Sequence, residues 1–258
     1  MIPATLTRQE IITALIRALE PLEFINAMWE GGSAAFDRLD EWSDIDLQFD
    51  VADDKVEETF QAVQQALETL SPIDLLYRTP ALPWPGIFQI FYRLSNADAY
   101  LLIDTAVIQH SAPDKLLDEP LHGKAIFYFD KTGVAQVPPF DWAALNERLA
   151  KRVASLRTTF DLYQCMVTKE VHRQHPLDAL MFYNSCTLRP LIEALRIRYT
   201  PARHGFGPHY AYVDLPGEVT QRLEPLYFVR DLADIAAKRA DAEIWFYQTL
   251  DQINLVLD

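Results

Sequence analysis

Two aspartates lie two residues apart in Trp42-Ser43-Asp44-Ile45-Asp46, and ten residues separate Asp44 from the turn Gly31-Gly32-Ser33. Residues i and i+2 of a strand project from one face, so the carboxylates of Asp44 and Asp46 share a side. Carboxylates held that close repel unless a cation lies between them. Mg²⁺ takes oxygen ligands, commonly one or two carboxylates completed by substrate phosphates. The glycine turn lets backbone amides approach a phosphate, and Ser33 adds a hydroxyl. A third acid, Asp104, interrupts the apolar run Leu101 to Ile108. An ionised carboxylate in a buried strand is costly unless it is paired, hydrogen-bonded or metal-bound. Three carboxylates from two strands can hold two Mg²⁺ ions for in-line phosphoryl or nucleotidyl transfer.

These residues need elements to position them. Thr7 and Glu10 form a capping box before the stripe Ile11, Ile12, Leu15, Ile16 and Leu19, which predicts a helix ended by Pro21. Phe24 to Trp29 is a short β-prone run entering the glycine turn. Asp44 to Val51 alternates, with Ile45, Leu47, Phe49 and Val51 on one side and Asp44, Asp46, Gln48 and Asp50 on the other. Lys55 to Leu70 reads as an amphipathic helix. Ile73 to Tyr77, Ile87 to Leu94, Tyr100 to Ile108 and Ala125 to Phe129 read as further strands. Beyond Pro138-Pro139 the patterns are helical: Trp142 to Val167, Leu177 to Arg198, Glu218 to Arg239 and Ala240 to Leu255. The expected architecture is an α/β (α+β) N-terminal half, residues 1–137, followed by an all-helical C-terminal domain, residues 138–258.

The pattern Gly32-Ser33, Asp44-Ile45-Asp46 and a late-strand Asp104 resembles the nucleotidyltransferases of the DNA polymerase β superfamily. The two-domain layout is similar to the antibiotic nucleotidyltransferases that adenylylate aminoglycosides and lincosamides. The resemblance implies a nucleotidyltransferase-like mixed sheet with helices, in which Gly32 and Ser33 hold the triphosphate. Asp44 and Asp46 would bind both Mg²⁺ ions, and Asp104 would be the third metal-binding acid, near the acceptor hydroxyl. It also implies that Lys169 and Arg173, four residues apart on one helix face, reach the nucleotide phosphates. Gly123-Lys124 through Lys131 resembles the closing hairpin of the catalytic domain. One departure is Ala34 after the serine, where many members carry an arginine nearby; here Arg38 is the nearest. The implied reaction is transfer of AMP from ATP to a hydroxyl of a small-molecule acceptor, releasing pyrophosphate. Two other readings stand beside it: a protein or tRNA-end acceptor, as in toxin–antitoxin nucleotidyltransferases, and a non-catalytic nucleotide-binding sensor.

Composition narrows the field. The 258 residues include 23 Lys+Arg against 37 Asp+Glu, a net charge of −14. Duplex nucleic acid is a poor partner for such a chain, whereas a cationic small molecule is permitted. Ten of the acids fall between Asp37 and Glu58 and read mainly as a solvated face and helix N-terminal acids. Cys165 and Cys186 both fall in helical stretches and read as buried free thiols. The pairs His172/His175 and His204/His209 lack evident further zinc ligands. Glu170, Asp178 and Glu193 are candidates for a general base, with no sequence signal choosing among them. The Trp84 loop and the Tyr199-to-Tyr212 aromatics read first as packing, with an adenine or acceptor pocket as the functional alternative. With no leader pattern and no long apolar run, the expectation is a cytoplasmic protein without a membrane partner.

Overall fold

The computed structural model describes residues 5–80 and 82–254. The chain divides into two compact units after Phe140. In the first, α1 (Arg8–Leu19) begins as its capping box dictates. The Thr7 amide donates to Glu10 Oε2 at 2.8 Å, and the Glu10 amide donates to Thr7 Oγ1 at 3.3 Å. There follow β1 (Ile25–Glu30), the single turn α2 (Gly32–Ala35), β2 (Ile45–Val51), α3 (Val56–Glu68), β3 (Ile73–Arg78), β4 (Ile87–Leu94), β5 (Ile103–Gln109), the single turn α4 (Glu119–His122) and β6 (Ile126–Asp130). The sheet order is β3-β4-β5-β2-β1-β6, with β2 and β5 parallel and the other described pairs antiparallel.

Alternation along β2 sends Ile45, Leu47, Phe49 and Val51 into the larger core. There they meet Leu15 and Leu19 of α1, Phe60, Val63 and Leu67 of α3, and Tyr92, Ile103 and Val107 of the neighbouring strands. The opposite face of the sheet is of two kinds. One end carries a second apolar cluster of Ala27, Trp29, Ile87, Ala106 and Ile108, covered by Ala112 and Leu117. The other end carries Asp46 and Asp104. Burial on one side and acids on the other fix the register, because a one-residue slip would put every carboxylate in the core.

The second unit is helical: α5 (Trp142–Arg173), α6 (Pro176–Phe182), a π-helical turn (Tyr183–Leu188), α7 (Arg189–Tyr199), a 3₁₀ segment (Pro201–Phe206), the single turn α8 (Ala211–Asp214), α9 (Gly217–Tyr227) and α10 (Leu232–Asp251). No described helix is long and apolar enough to cross a membrane.

Several sequence expectations need correction. The helix expected from Leu177 to Arg198 is broken by the π-turn, and Pro190 explains it. Proline has no amide to offer the carbonyl four residues back, Cys186, and its ring crowds that carbonyl. Gln164 supplies the missing donor, Nε2 to Cys186 O at 2.9 Å, while its Oε1 accepts from Thr187 Oγ1 at 2.7 Å. The break expected after Arg239 falls instead at Phe228–Asp231, where the Asp231 side chain caps α10 by accepting from the Asp234 amide. Leu255, the expected end of that last helix, lies outside the described residues. The first long helix runs on to Arg173, and β2 begins one residue after Asp44. The cysteines are not buried: Cys165 is exposed and Cys186 half-buried, both as free thiols. Asp50, expected among the solvated acids, is fully buried beside His110 Nδ1 (2.7 Å), Lys115 Nζ (2.7 Å) and Asn26 Nδ2 (2.8 Å). Glu57 and Glu58 do sit in the first turn of α3, where the helix dipole favours acids.

Candidate functional site

Asp46 and Asp104 are Cα partners across the parallel β2–β5 pair. Asp44 stands just before β2, and its Oδ1 accepts from the Leu102 amide at 3.4 Å. The two strands thereby bring all three sequence-nominated acids to one end of the sheet. Burial pushes the Asp46 carboxyl above the usual aspartate range, and neighbouring Asp44 adds to the effect. Asp104 is pushed to about 7, chiefly by burial, with Asp46 and Asp44 contributing. Gln89 opposes that rise, donating Nε2 to both Asp104 oxygens at 2.8 Å. The three acids therefore repel one another in the ion-free protein. They are not gathered as tightly as a finished cage. Among the described residues, the trio whose ligand atoms all lie within 4.8 Å is Glu170, His175 and Asp178.

The glycine turn is moulded to this site. Gly32 has φ +54°, and a Cβ there would overlap the Asp46 carboxylate. Only glycine combines that backbone conformation with that approach. The Gly31 amide donates to Asp46 O at 2.9 Å, tying the turn to β2. Ser33 Oγ is buried with no hydrogen-bond partner among the described residues. A buried hydroxyl without a partner is a cost that a ligand oxygen would relieve. Gly123, at φ +79°, packs against the Ala35 carbonyl, and Lys124 donates its amide to that carbonyl at 2.8 Å. The 123–131 stretch is thus tied to the glycine turn, but β6 pairs antiparallel with β1 and does not form a local hairpin.

A supporting layer escaped the sequence reading. Arg8, the first residue of α1, donates to the Asp44 carbonyl and pairs with Glu30 of β1, which is 2% exposed. The Tyr128 hydroxyl donates to the same Glu30. The charge of Arg8 acts on Asp46 and partly offsets the rise there. Period-two alternation on β4 could have flagged Gln89; nothing in the sequence pointed to Arg8. At the rim, Trp42 and Tyr100 meet edge to face with centroids 5.4 Å apart, 62% and 67% exposed. Backbone turns hold both: the Trp42 amide donates to Asp40 Oδ1 at 3.0 Å and the Tyr100 amide to Asp98 Oδ1 at 2.9 Å.

The remaining nominees belong to the second unit. Lys169 is exposed on α5, and Arg173 is bonded to the buried Glu170. Glu170 also accepts from His175 Nδ1 at 3.1 Å. Glu193 is held by Arg152 through two bonds of 2.6 and 2.7 Å. Neither glutamate is therefore a free base. His204 bonds Pro201 O at 3.0 Å, and the His209 and Tyr210 rings meet at a 44° tilt with centroids 3.7 Å apart. Arg38 lies over the Phe36 ring.

What the first unit defines is a mixed sheet presenting an acid cluster beside a glycine turn. No protein-family model matches the chain, and no curated protein matches it significantly. Among solved structures it is similar to an aminoglycoside 6-adenyltransferase from Bacillus subtilis, with 14% identity over 96% of this chain and 90% of that one, at a TM-score of 0.37. A likeness at that level does not bear on what this chain does.

Proposed function

We propose that this protein is a Mg²⁺-dependent nucleotidyltransferase that moves a nucleoside monophosphate, AMP from ATP, onto a hydroxyl of a small-molecule acceptor. The observation that carries the reading is the register of Asp46 against Asp104, with Asp44 and the φ-positive Gly32 closing on the same carboxylates. Holding three half-buried, mutually repelling acids beside a serine hydroxyl that has no partner among the described residues costs stability, and cation and phosphate binding removes that cost.

Asp44, Asp46 and Asp104 would hold Mg²⁺, which would neutralise the triphosphate and stabilise charge building on the α-phosphoryl oxygens. Gly32 and Ser33 would bind phosphate oxygens through the turn amides and the hydroxyl. The acceptor oxygen forms a bond to the α-phosphorus as the bond to pyrophosphate breaks. Asp104, beside the site of the acceptor hydroxyl, would assist removal of its proton. Trp42 and Tyr100 would offer the acceptor two ring faces at the rim. Lys169 and Arg173 are assigned to the phosphates by resemblance only.

The test is pyrophosphate release with ATP and Mg²⁺ across hydroxyl-bearing acceptors, aminoglycosides and lincosamides first. Asp46→Asn and Asp104→Asn should each lower turnover by about 10³-fold or more while the protein stays folded. Turnover within tenfold of the parent in either variant would remove the acids from the reaction.

A further inference from the structure

We infer that Phe91 and Tyr77 bind the acceptor, taking the ring of a cyclic, hydroxyl-bearing molecule and selecting it over open-chain ones. The inference rests on the nucleotidyl-transfer reading and adds where the acceptor lies and which part of it is recognised.

Strand register carries it. Asp46 is opposite Asp104 across β2–β5, Phe91 is opposite Asp104 across β4–β5, and Tyr77 is opposite Phe91 across β3–β4. Directly opposed residues project from the same face of a sheet. One row across four strands therefore reads acid, acid, aromatic, aromatic. The irregularity in the β3–β4 pairing falls between Ile73 and Leu75 and leaves this row regular. The two rings stack with centroids 6.5 Å apart and planes at 24°. Farther along the same face, Ile87, Ala106 and Ile108 are covered by Ala112 and Leu117. Beside the acids, Phe91 is only half-buried and Tyr77 is 54% exposed.

The geometry of transfer assigns this row to the acceptor. In an in-line displacement the attacking and leaving oxygens lie on opposite sides of the phosphorus. The Gly32–Ser33 turn follows β1, which borders β2 on one side, whereas β4 and β3 lie beyond β5 on the other. With pyrophosphate leaving toward the turn, the acceptor approaches from the rings. Strands spaced by about 4.8 Å put Phe91 one step and Tyr77 two steps from Asp104. A ring packed against these side chains holds its hydroxyl at the acids, an orientation that an open chain does not keep. The rim pair Trp42 and Tyr100 precedes β2 and β5 in the chain and borders the acids from the strand ends, whereas this row borders them from the side.

Steady-state kinetics with ATP and Mg²⁺ test this, using aminoglycosides and lincosamides as cyclic acceptors and amino alcohols as open-chain ones. Cyclic acceptors should show kcat/KM at least about tenfold higher. Tyr77→Ala should raise the acceptor KM about tenfold and Phe91→Leu about threefold, with the KM for ATP unchanged. Tyr77→Phe and Phe91→Tyr should stay near the parent. A purely structural role would instead move both KM values together or lower the melting temperature. An acceptor KM within about twofold of the parent in Tyr77→Ala, or equal use of open-chain acceptors, overturns the inference. If Asp46→Asn still abolishes turnover in that case, nucleotidyl transfer stands without it. Turnover that survives Asp46→Asn, or is absent with every acceptor, overturns both.

Discussion

Asp104 is where the acid cluster becomes measurable without knowing a substrate. Its carboxyl binds a proton more tightly folded, near pH 7, than unfolded, near the usual 3.8. The folded state therefore carries the extra proton between those values, and stability must fall as pH rises through that window. In chelator, Asp104→Asn is expected to melt progressively higher than the parent as pH rises from 4 to 8, by about 2–4 kcal/mol at the upper end. Scanning calorimetry across pH reads this directly, and an unchanged difference would show that the carboxyl is not destabilised. Mg²⁺ should reverse the trend, raising the parent's melting temperature more at pH 8 than at pH 5, because the acids must be ionised to bind it. Gly32→Ala meets two obstacles, the positive φ and the Asp46 carboxylate. It should cost about 1–3 kcal/mol and abolish turnover; denaturant melts and the pyrophosphate assay separate the two effects.

At the scale of elements, α1 does more than cover the sheet. Its first residue, Arg8, links the helix start to Glu30 on β1 and to the carbonyl of Asp44. Arg8→Met would leave the buried Glu30 with Tyr128 as its remaining side-chain partner among the described residues, at a cost of about 3–5 kcal/mol; urea melts check this, and a loss below about 1 kcal/mol would refute it. The helix itself was legible, because Thr7 and Glu10 are a local signal read within four residues. So were β2, whose alternation is clean, and β4, read as a short apolar strand. Arg8's role was not, since a surface-type residue at a helix start looks the same whether or not a buried glutamate waits on a distant strand. Asp50 shows the same limit: its alternation matched that of Asp46, and only Asn26, His110 and Lys115, far off in sequence, distinguish an internal ion cluster from a solvated acid. The π-turn depended on Gln164 from another helix meeting a proline's orphan carbonyl, which no window of sequence contains.

For the whole molecule, the decisive contrast lies between the two units. The acids, the glycine turn and the aromatic rim all lie in the first, which sequence patterns described well because strands with one acidic face announce themselves. The second is a set of helices whose π-turn is set by a tertiary contact, and two of its nominated bases, Glu170 and Glu193, are held in ion pairs. The excess of 14 negative charges acts on both. Self-repulsion of that size destabilises a compact chain and is screened by salt. Melting temperature should therefore rise from low to physiological ionic strength with a monovalent salt. Mg²⁺ at matched ionic strength should add a further increment that Asp46→Asn removes; equal effects in parent and variant would show that the ion is merely screening.

The parallel partnership of β2 with β5 has a consequence in time. Leu102 and Asp44 are 58 residues apart in the chain, with α3 and the β3–β4 hairpin between them. Closing so long a loop is entropically slow compared with zipping an adjacent hairpin. The carboxylates converge only when β5 pairs with β2, so a nascent or partly opened chain lacking that pairing has no assembled acid cluster with which to capture an ion.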